Sequence, residues 1–158
     1  MRIAVGCDHA GFPLKASVIE LLQILGHSVE DVGTDSTEPV DYPDFARAVA
    51  TSVASGRSER GIVLCGSGVG ASVAATKVPG VRASMCHDTF SARQGVEDDD
   101  MNVLCLGARV IGPALAEELV RAFVNAKFSG AERHIRRLEK VNGIETDARN
   151  GVFDDARR

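Results

Sequence analysis

Apolar runs alternate with amphipathic segments along the whole chain. Runs such as Arg2-Ile3-Ala4-Val5 and Gly61-Ile62-Val63-Leu64 are nearly continuous in apolar residues, the pattern of strands buried on both faces of a parallel sheet. In the segment that follows the first run, Val18, Leu21, Leu22 and Leu25 recur at helical spacing and mark a core-facing stripe. The pattern predicts strands near residues 2–6, 28–32, 60–65, 81–86 and 103–107, and helices near 12–25, 43–55, 70–77, 88–96 and 112–128. Pro43 and Pro113 suit first helical turns, where a fixed φ helps and no donor is wasted. A last helix, rich in Arg and Glu, is predicted over 131–141. Regular alternation of strand and helix predicts an α/β fold, a five-stranded parallel sheet flanked by helices, with an additional C-terminal helix. One domain is expected over 1–143, followed by a polar tail over 144–158 that is mobile or draped on a partner.

Composition narrows the class without naming a chemistry. At 158 residues the chain has room for one full core. Its net charge of −4 and lack of a basic stripe argue against general nucleic-acid binding. No apolar run approaches the length of a membrane span, and the opening segment is strand-like with no signal-peptide pattern. Cys7, Cys65, Cys86 and Cys105 lack the paired spacing of metal ligands, so reduced thiols in a cytoplasmic protein are expected.

In open parallel sheets, ligands bind where polar residues follow the carboxyl ends of the strands. That rule selects five places: Cys7-Asp8-His9, Gly33 to Tyr42, Cys65 to Ser72, His87-Asp88, and Gly107-Ala108-Arg109. The third is the richest. Three glycines within Gly66-Ser67-Gly68-Val69-Gly70 allow a sharp strand-to-helix turn whose N–H groups can hold an anion or a developing oxyanion. Cys65 reads either as a core thiol at a strand end or as a thiolate stabilised by that turn and able to take a proton from carbon. In the second reading Ser67 steers the thiol by a hydrogen bond. Gly66 to Ala71 also fits G-x-G-x-x-A with Asp88 downstream, but a dinucleotide fingerprint normally follows the first strand and this one follows the third. Asp8 and His9 read as a helix cap with an exposed imidazole, or as grips for sugar hydroxyls and a phosphate. Arg133 and Arg137 share one helix face and suit a phosphate, or else are solvated charges. His27 reads as structural, and Cys7, Cys86 and Cys105 as core thiols. Glu97 to Asp100 reads as an acidic loop between the fourth helix and the fifth strand, near the crevice.

These segments carry a family likeness. Gly6-Cys7-Asp8-His9-Ala10-Gly11, Asp41-Tyr42-Pro43, Cys65 to Gly70, Val81-Arg82-Ala83, Asn102-Val103-Leu104, Gly107 to Gly112 and Arg133-His134-x-x-Arg137 resemble the B-type ribose-5-phosphate isomerases and the related galactose-6-phosphate isomerase subunits. The likeness runs in order from residue 2 to about 141. It implies a Rossmann-like fold and an aldose–ketose isomerase using neither metal nor cofactor. It also implies a homodimer or tetramer whose active sites mix residues of two subunits. Carried over by position, Cys65 would move a proton between C1 and C2, assisted by Ser67. The amides of Gly66, Gly68, Val69, Gly70 and Ala71 would hold the enediolate. Asp8 and Tyr42 would line the sugar, and His9, Arg109, Arg133 and Arg137 would hold its phosphate.

One departure bears on the substrate. The family's histidine for opening the furanose ring corresponds here to Asp98, with Asp99 beside it as a further substrate contact. A carboxylate is a competent base, but it donates a proton at neutral pH only if its pKa is raised, a direction in which neighbouring acids act. His87 is a second candidate ring opener. A third possibility is a substrate that needs no ring opening, such as a tetrose 4-phosphate. The alternatives to ribose 5-phosphate are therefore another phosphosugar of tetrose or galactose 6-phosphate type, or an idle sugar-phosphate-binding subunit.

Overall fold

The computed structural model describes residues 1–153; residues 154–158, the end of the expected tail, lie outside the described residues. Five strands and six helices follow one another as β1 (Arg2–Cys7), α1 (Phe12–Ile24), β2 (Ser28–Asp31), α2 (Tyr42–Ala54), β3 (Arg60–Cys65), α3 (Val69–Ala75), β4 (Ala83–Met85), α4 (Thr89–Asp99), β5 (Val103–Gly107), α5 (Pro113–Asn125) and α6 (Glu132–Arg149). All pairings are parallel, in the order β2-β1-β3-β5-β4. The predicted α/β architecture is thus the observed one.

Alternation along each strand divides the core between the two faces of the sheet. Ile3, Val5, Ile62, Leu64, Leu104 and Leu106 pack under α1, α4 and α5. Ala4, Val63, Cys65, Val103 and Cys105 pack under α2 and α3. From β1 the chain steps outward to β2 and then returns to place β3 on the other side of β1, so the strand order reverses between β1 and β3. A crevice opens at their carboxyl ends. Among the described residues no helix is long and apolar enough to cross a membrane.

Three boundaries differ from the expected ones. β4 is only three residues long because the Arg82 amide leaves the ladder and donates to Asn102 Oδ1 at 2.8 Å. α4 runs on to Asp99, so Glu97, Asp98 and Asp99 form its last turn rather than a loop, with Asp100 closing it at φ +50°. In a parallel sheet the helix after β4 returns to the amino end of β5. These acids therefore lie at the edge opposite the crevice, not beside it. α6 continues past 141 to Arg149 and so crosses the expected boundary at 143. Leu138, Val141 and Ile144 keep apolar spacing across Gly143, and both Glu145 carboxylate oxygens accept the Gly80 N–H, at 3.1 and 2.9 Å.

Candidate active site at the sheet switch point

Segments from four of the five strand-end places meet in one cavity of about 340 Å³. Asp8, His9 and Ala10 follow β1, Tyr42 opens α2, Cys65, Gly66, Ser67 and Gly70 follow β3, and Arg109 and Val110 follow β5. A larger groove of about 990 Å³ lies elsewhere, between β4, α4 and the second half of α6. Its lining is mostly apolar, including Val81, Met85, Met101, Leu138 and Val141, whereas the smaller cavity gathers the reactive groups.

Cys65 ends β3 with its side chain 4% exposed on the α2–α3 side. The turn that follows needs Gly68, whose φ of +85° is a left-handed conformation that a side chain strains. That conformation turns the Gly68 N–H onto Cys65 Sγ at 3.0 Å. The next amides enter α3, whose N-cap has no side-chain partner, so the N–H groups of Gly70 and Ala71 have no acceptor within the helix. Tyr42 closes over this turn. A Cβ on Gly70 would lie 2.7 Å from the Tyr42 ring, so only glycine leaves room for the aromatic at that position.

The polar groups opposite the thiol are fixed by the backbone. Asp8 is buried and its Oδ1 accepts the Gly11 N–H at 2.8 Å, leaving Oδ2 for the cavity. His9 Nδ1 lies 3.2 Å from both the amide and the carbonyl of Val40, which leaves Nε2 free. Arg109 is exposed and makes no ion pair among the described residues; its Nε and Cδ pass close to Gly66. The other thiols are chemically quiet. Burial pushes Cys7 up to about 11 and raises Cys86 and Cys105, the last further raised by the neighbouring Cys65 and Cys86.

Other expected site residues stand apart. Ser67 Oγ accepts the Val69 N–H at 3.3 Å, and the hydrogen bond that reaches Cys65 Sγ comes from Gly68 instead. His87 Nε2 accepts the Gly107 N–H at 3.0 Å, so the ring braces the end of β5. Asp88 caps α4, accepting the Ser91 N–H at 2.7 Å, a role that accounts for its place without a ribose. Val69 turns its side chain to solvent, 53% exposed. Asp98, Asp99, Arg133 and Arg137 do not line the cavity of their own chain. Arg133 and Arg137 are exposed on the first two turns of α6, without ion-pair partners among the described residues. Asp98 Oδ2 accepts from Gln94 Nε2 at 2.6 Å, and its Oδ1 lies 3.4 Å from His134 Nδ1. The i,i+4 spacing of Gln94 and Asp98 was legible in the sequence; the approach of His134, and the Gly68 amide that reaches the thiol, were not. Among the described residues no three His, Cys, Asp or Glu side chains converge as metal ligands.

The switch point of this parallel sheet joins a thiol, a carboxylate, an imidazole and a guanidinium under a glycine-rich turn, groups able to hold an anion beside a proton-transfer side chain. The chain belongs to the ribose/galactose isomerase family, which it matches over residues 3–141. It is 44% identical over 144 residues to ribose-5-phosphate isomerase B of Escherichia coli, covering 91% of this chain and 96% of that protein. It is also 44% identical over 146 residues to D-erythrulose-4-phosphate isomerase of Pectobacterium atrosepticum, covering 92% and 95% respectively. The solved structure of Clostridium thermocellum ribose-5-phosphate isomerase B superposes with a TM-score of 0.91 at 45% identity, covering 94% of this chain and 99% of that one.

Proposed function

We propose that the protein interconverts ribose 5-phosphate and ribulose 5-phosphate through a cis-enediolate, with Cys65 as the base. The observation that carries this reading is the Gly68 N–H on Cys65 Sγ at 3.0 Å. A sulfur that accepts a backbone N–H is prepared to hold negative charge in an otherwise buried setting. Cys65 takes the proton from C2 of the open-chain aldose and returns it at C1, while the hydroxyl proton of O2 passes to O1 across the cis-enediolate. The charge that develops on oxygen between the two steps is met by the amides of Gly66, Gly70 and Ala71, held in advance by the turn, while those of Gly68 and Val69 serve Cys65 Sγ and Ser67 Oγ until substrate draws them in. Asp8 Oδ2 and Tyr42 grip sugar hydroxyls. His9 and Arg109 take the phosphate, joined by Arg133 and Arg137 of a second copy, since those two lie away from the cavity of their own chain. A homodimer, or a tetramer of such dimers, follows from this division, and four free, buried thiols suit the reducing cytoplasm. Metal and cofactor have no part in the mechanism.

A second reading, isomerisation of a tetrose 4-phosphate, is favoured by Asp98 at the ring-opening position and by the similarity to the D-erythrulose-4-phosphate isomerase. The test compares turnover of ribose 5-phosphate with that of erythrose 4-phosphate in the native protein and in Cys65→Ala. Turnover of ribose 5-phosphate that falls by at least about a thousandfold in Cys65→Ala, with substrate binding kept, supports the first reading. Turnover of the tetrose alone supports the second, and a fully active Cys65→Ala removes Cys65 from the chemistry.

A further inference from the structure

Lys15 lies in the first turn of α1 with its side chain only 12% exposed, and its ammonium has two partners. Nζ donates to the Thr34 carbonyl at 2.7 Å and pairs with Asp31 Oδ2 at 2.9 Å. An ion pair of this kind brings little net stability, so an apolar residue would serve α1 about as well. What the ammonium adds is a fixed start for the loop over 33–41, which leads from β2 to Tyr42. The Thr34 N–H donates to the Cys7 carbonyl at 3.0 Å, and a Cβ on Gly33 would lie 2.7 Å from the Cys7 nitrogen. At this point the loop lies directly on the end of β1. Over 35–39 it is largely exposed, and its one hydrogen bond there among the described residues is internal, from the Glu38 N–H to Ser36 Oγ at 3.3 Å. It returns at Val40, whose amide and carbonyl both stand 3.2 Å from His9 Nδ1.

We propose that Lys15 is a positioning residue for phosphate binding: by fixing Thr34 it sets where Val40 meets His9, and so holds the imidazole with Nε2 presented to the phosphate. The proposal rests on the reading above in which His9 takes the phosphate. Two states of the ring suit that role. A neutral ring accepts the Val40 N–H at Nδ1 and carries its proton on Nε2, whereas an imidazolium donates to the Val40 carbonyl and keeps an N–H on Nε2 as well. In both, Val40 holds the ring and Nε2 donates to a phosphate oxygen. A ring released from Val40 is free to turn to water or to present a bare nitrogen. Lys15 does not line the cavity, so its effect on a phosphate travels through the loop. Pro39, directly before Val40, has a fixed φ and restricts its neighbour, which limits how much of a shift at Thr34 the loop absorbs.

The test measures kcat and KM for ribose 5-phosphate, with the inhibition constant of inorganic phosphate, on the native full-length chain, Lys15→Met, His9→Ala and the double variant. Methionine keeps an apolar stem beside the Phe12 ring and removes the ammonium. Lys15→Met is expected to raise KM and the phosphate inhibition constant together, by about fivefold, with kcat within about twofold of native. In the His9→Ala background the same change should add less than about twofold, because the group it acts through is gone. A loss of stability with KM unchanged, a fall in kcat alone, or a KM penalty as large with His9→Ala as without it overturns the proposal; the last would route the effect through Tyr42. Should Lys15→Met fail to fold, Gly33→Ala, which pushes the same end of the loop off Cys7, carries the same comparison. A His9→Ala variant with KM and phosphate inhibition unchanged defeats the assignment of the phosphate to His9 and the proposal with it. An unchanged Lys15→Met beside a weakened His9→Ala defeats the proposal alone. A native chain inactive on ribose 5-phosphate defeats the substrate reading, and the dissociation constant of inorganic phosphate from calorimetry then replaces KM in each comparison.

Discussion

At the scale of single residues, the site depends on what backbone amides do to side chains. Four cysteines sit in or beside strands, and three are raised chiefly by burial. Cys65 differs in having an amide on its sulfur, supplied by a glycine in a conformation other residues resist. Gly70 is the other sensitive position. Gly70→Ala puts a methyl group within 2.7 Å of the Tyr42 ring. Tyr42 is 40% exposed and can swing outward, so stability should change by less than about 1 kcal/mol. The cavity loses its aromatic wall, however, so KM for the phosphosugar should rise severalfold. A KM unchanged in steady-state assays would remove Tyr42 from the binding surface.

At the scale of elements, α5 and α6 are held by contacts made far along the chain. The guanidinium of Arg60, at the start of β3, donates to the carbonyl of Phe123 and, at 2.7 Å, to that of Ala126, and lies 5.1 Å from the Phe123 ring centre. Those carbonyls are among the ones a helix end leaves unpaired. Arg60→Met keeps the apolar stem and drops both bonds, which should cost about 2 kcal/mol, read as a lower urea midpoint at unchanged m. In α6 the opposite change is available. Gly143 is inside the helix, and nothing lies within 4 Å of where its Cβ would be. Gly143→Ala should therefore stabilise by roughly 0.5–1 kcal/mol, read as a higher Tm.

At the scale of the whole molecule, two consequences follow from how distant parts are joined. His27 joins the start of β2 to the N-terminus, with the Met1 amine 3.4 Å from Nδ1 and a buried Nε2 that has no partner among the described residues. Burial first, and then the Met1 amine, hold this imidazole below its ordinary value. The unfolded chain therefore binds the proton more readily. The stability present above pH about 6.5 is lost progressively as pH falls below it. His27→Asn should flatten that part of a stability–pH curve. Glu30, lowered chiefly by the Ser52 hydroxyl, acts in a separate window, losing its contribution only below about pH 4.3. The second consequence tests the site proposed to be shared between two copies. Cys65→Ala and Arg137→Ala should each be inactive, yet co-refolded mixtures should recover about a quarter of native turnover, because half the dimers carry one intact site of two. Mixtures that stay inactive would mean that one copy completes its own site.

How much of this was legible in the sequence depends on the range over which each feature is decided. Apolar periodicity, proline position and glycine clustering act within a few residues, so five strands, six helices and the turn after β3 could be read directly, the sixth helix only to 141 of its full length. The chain also determines which segments follow strand ends, and four of the five so chosen share the cavity. Only the tertiary structure decided where the acids of α4 lie. In a parallel sheet the helix after a strand returns to the opposite edge, so neighbours in sequence to the crevice become distant from it in space. The same return brought Asp98 to His134, 36 positions later in sequence, and left Arg133 and Arg137 on an open face. Contacts between elements depend on packing direction, and no local pattern of residues encodes that.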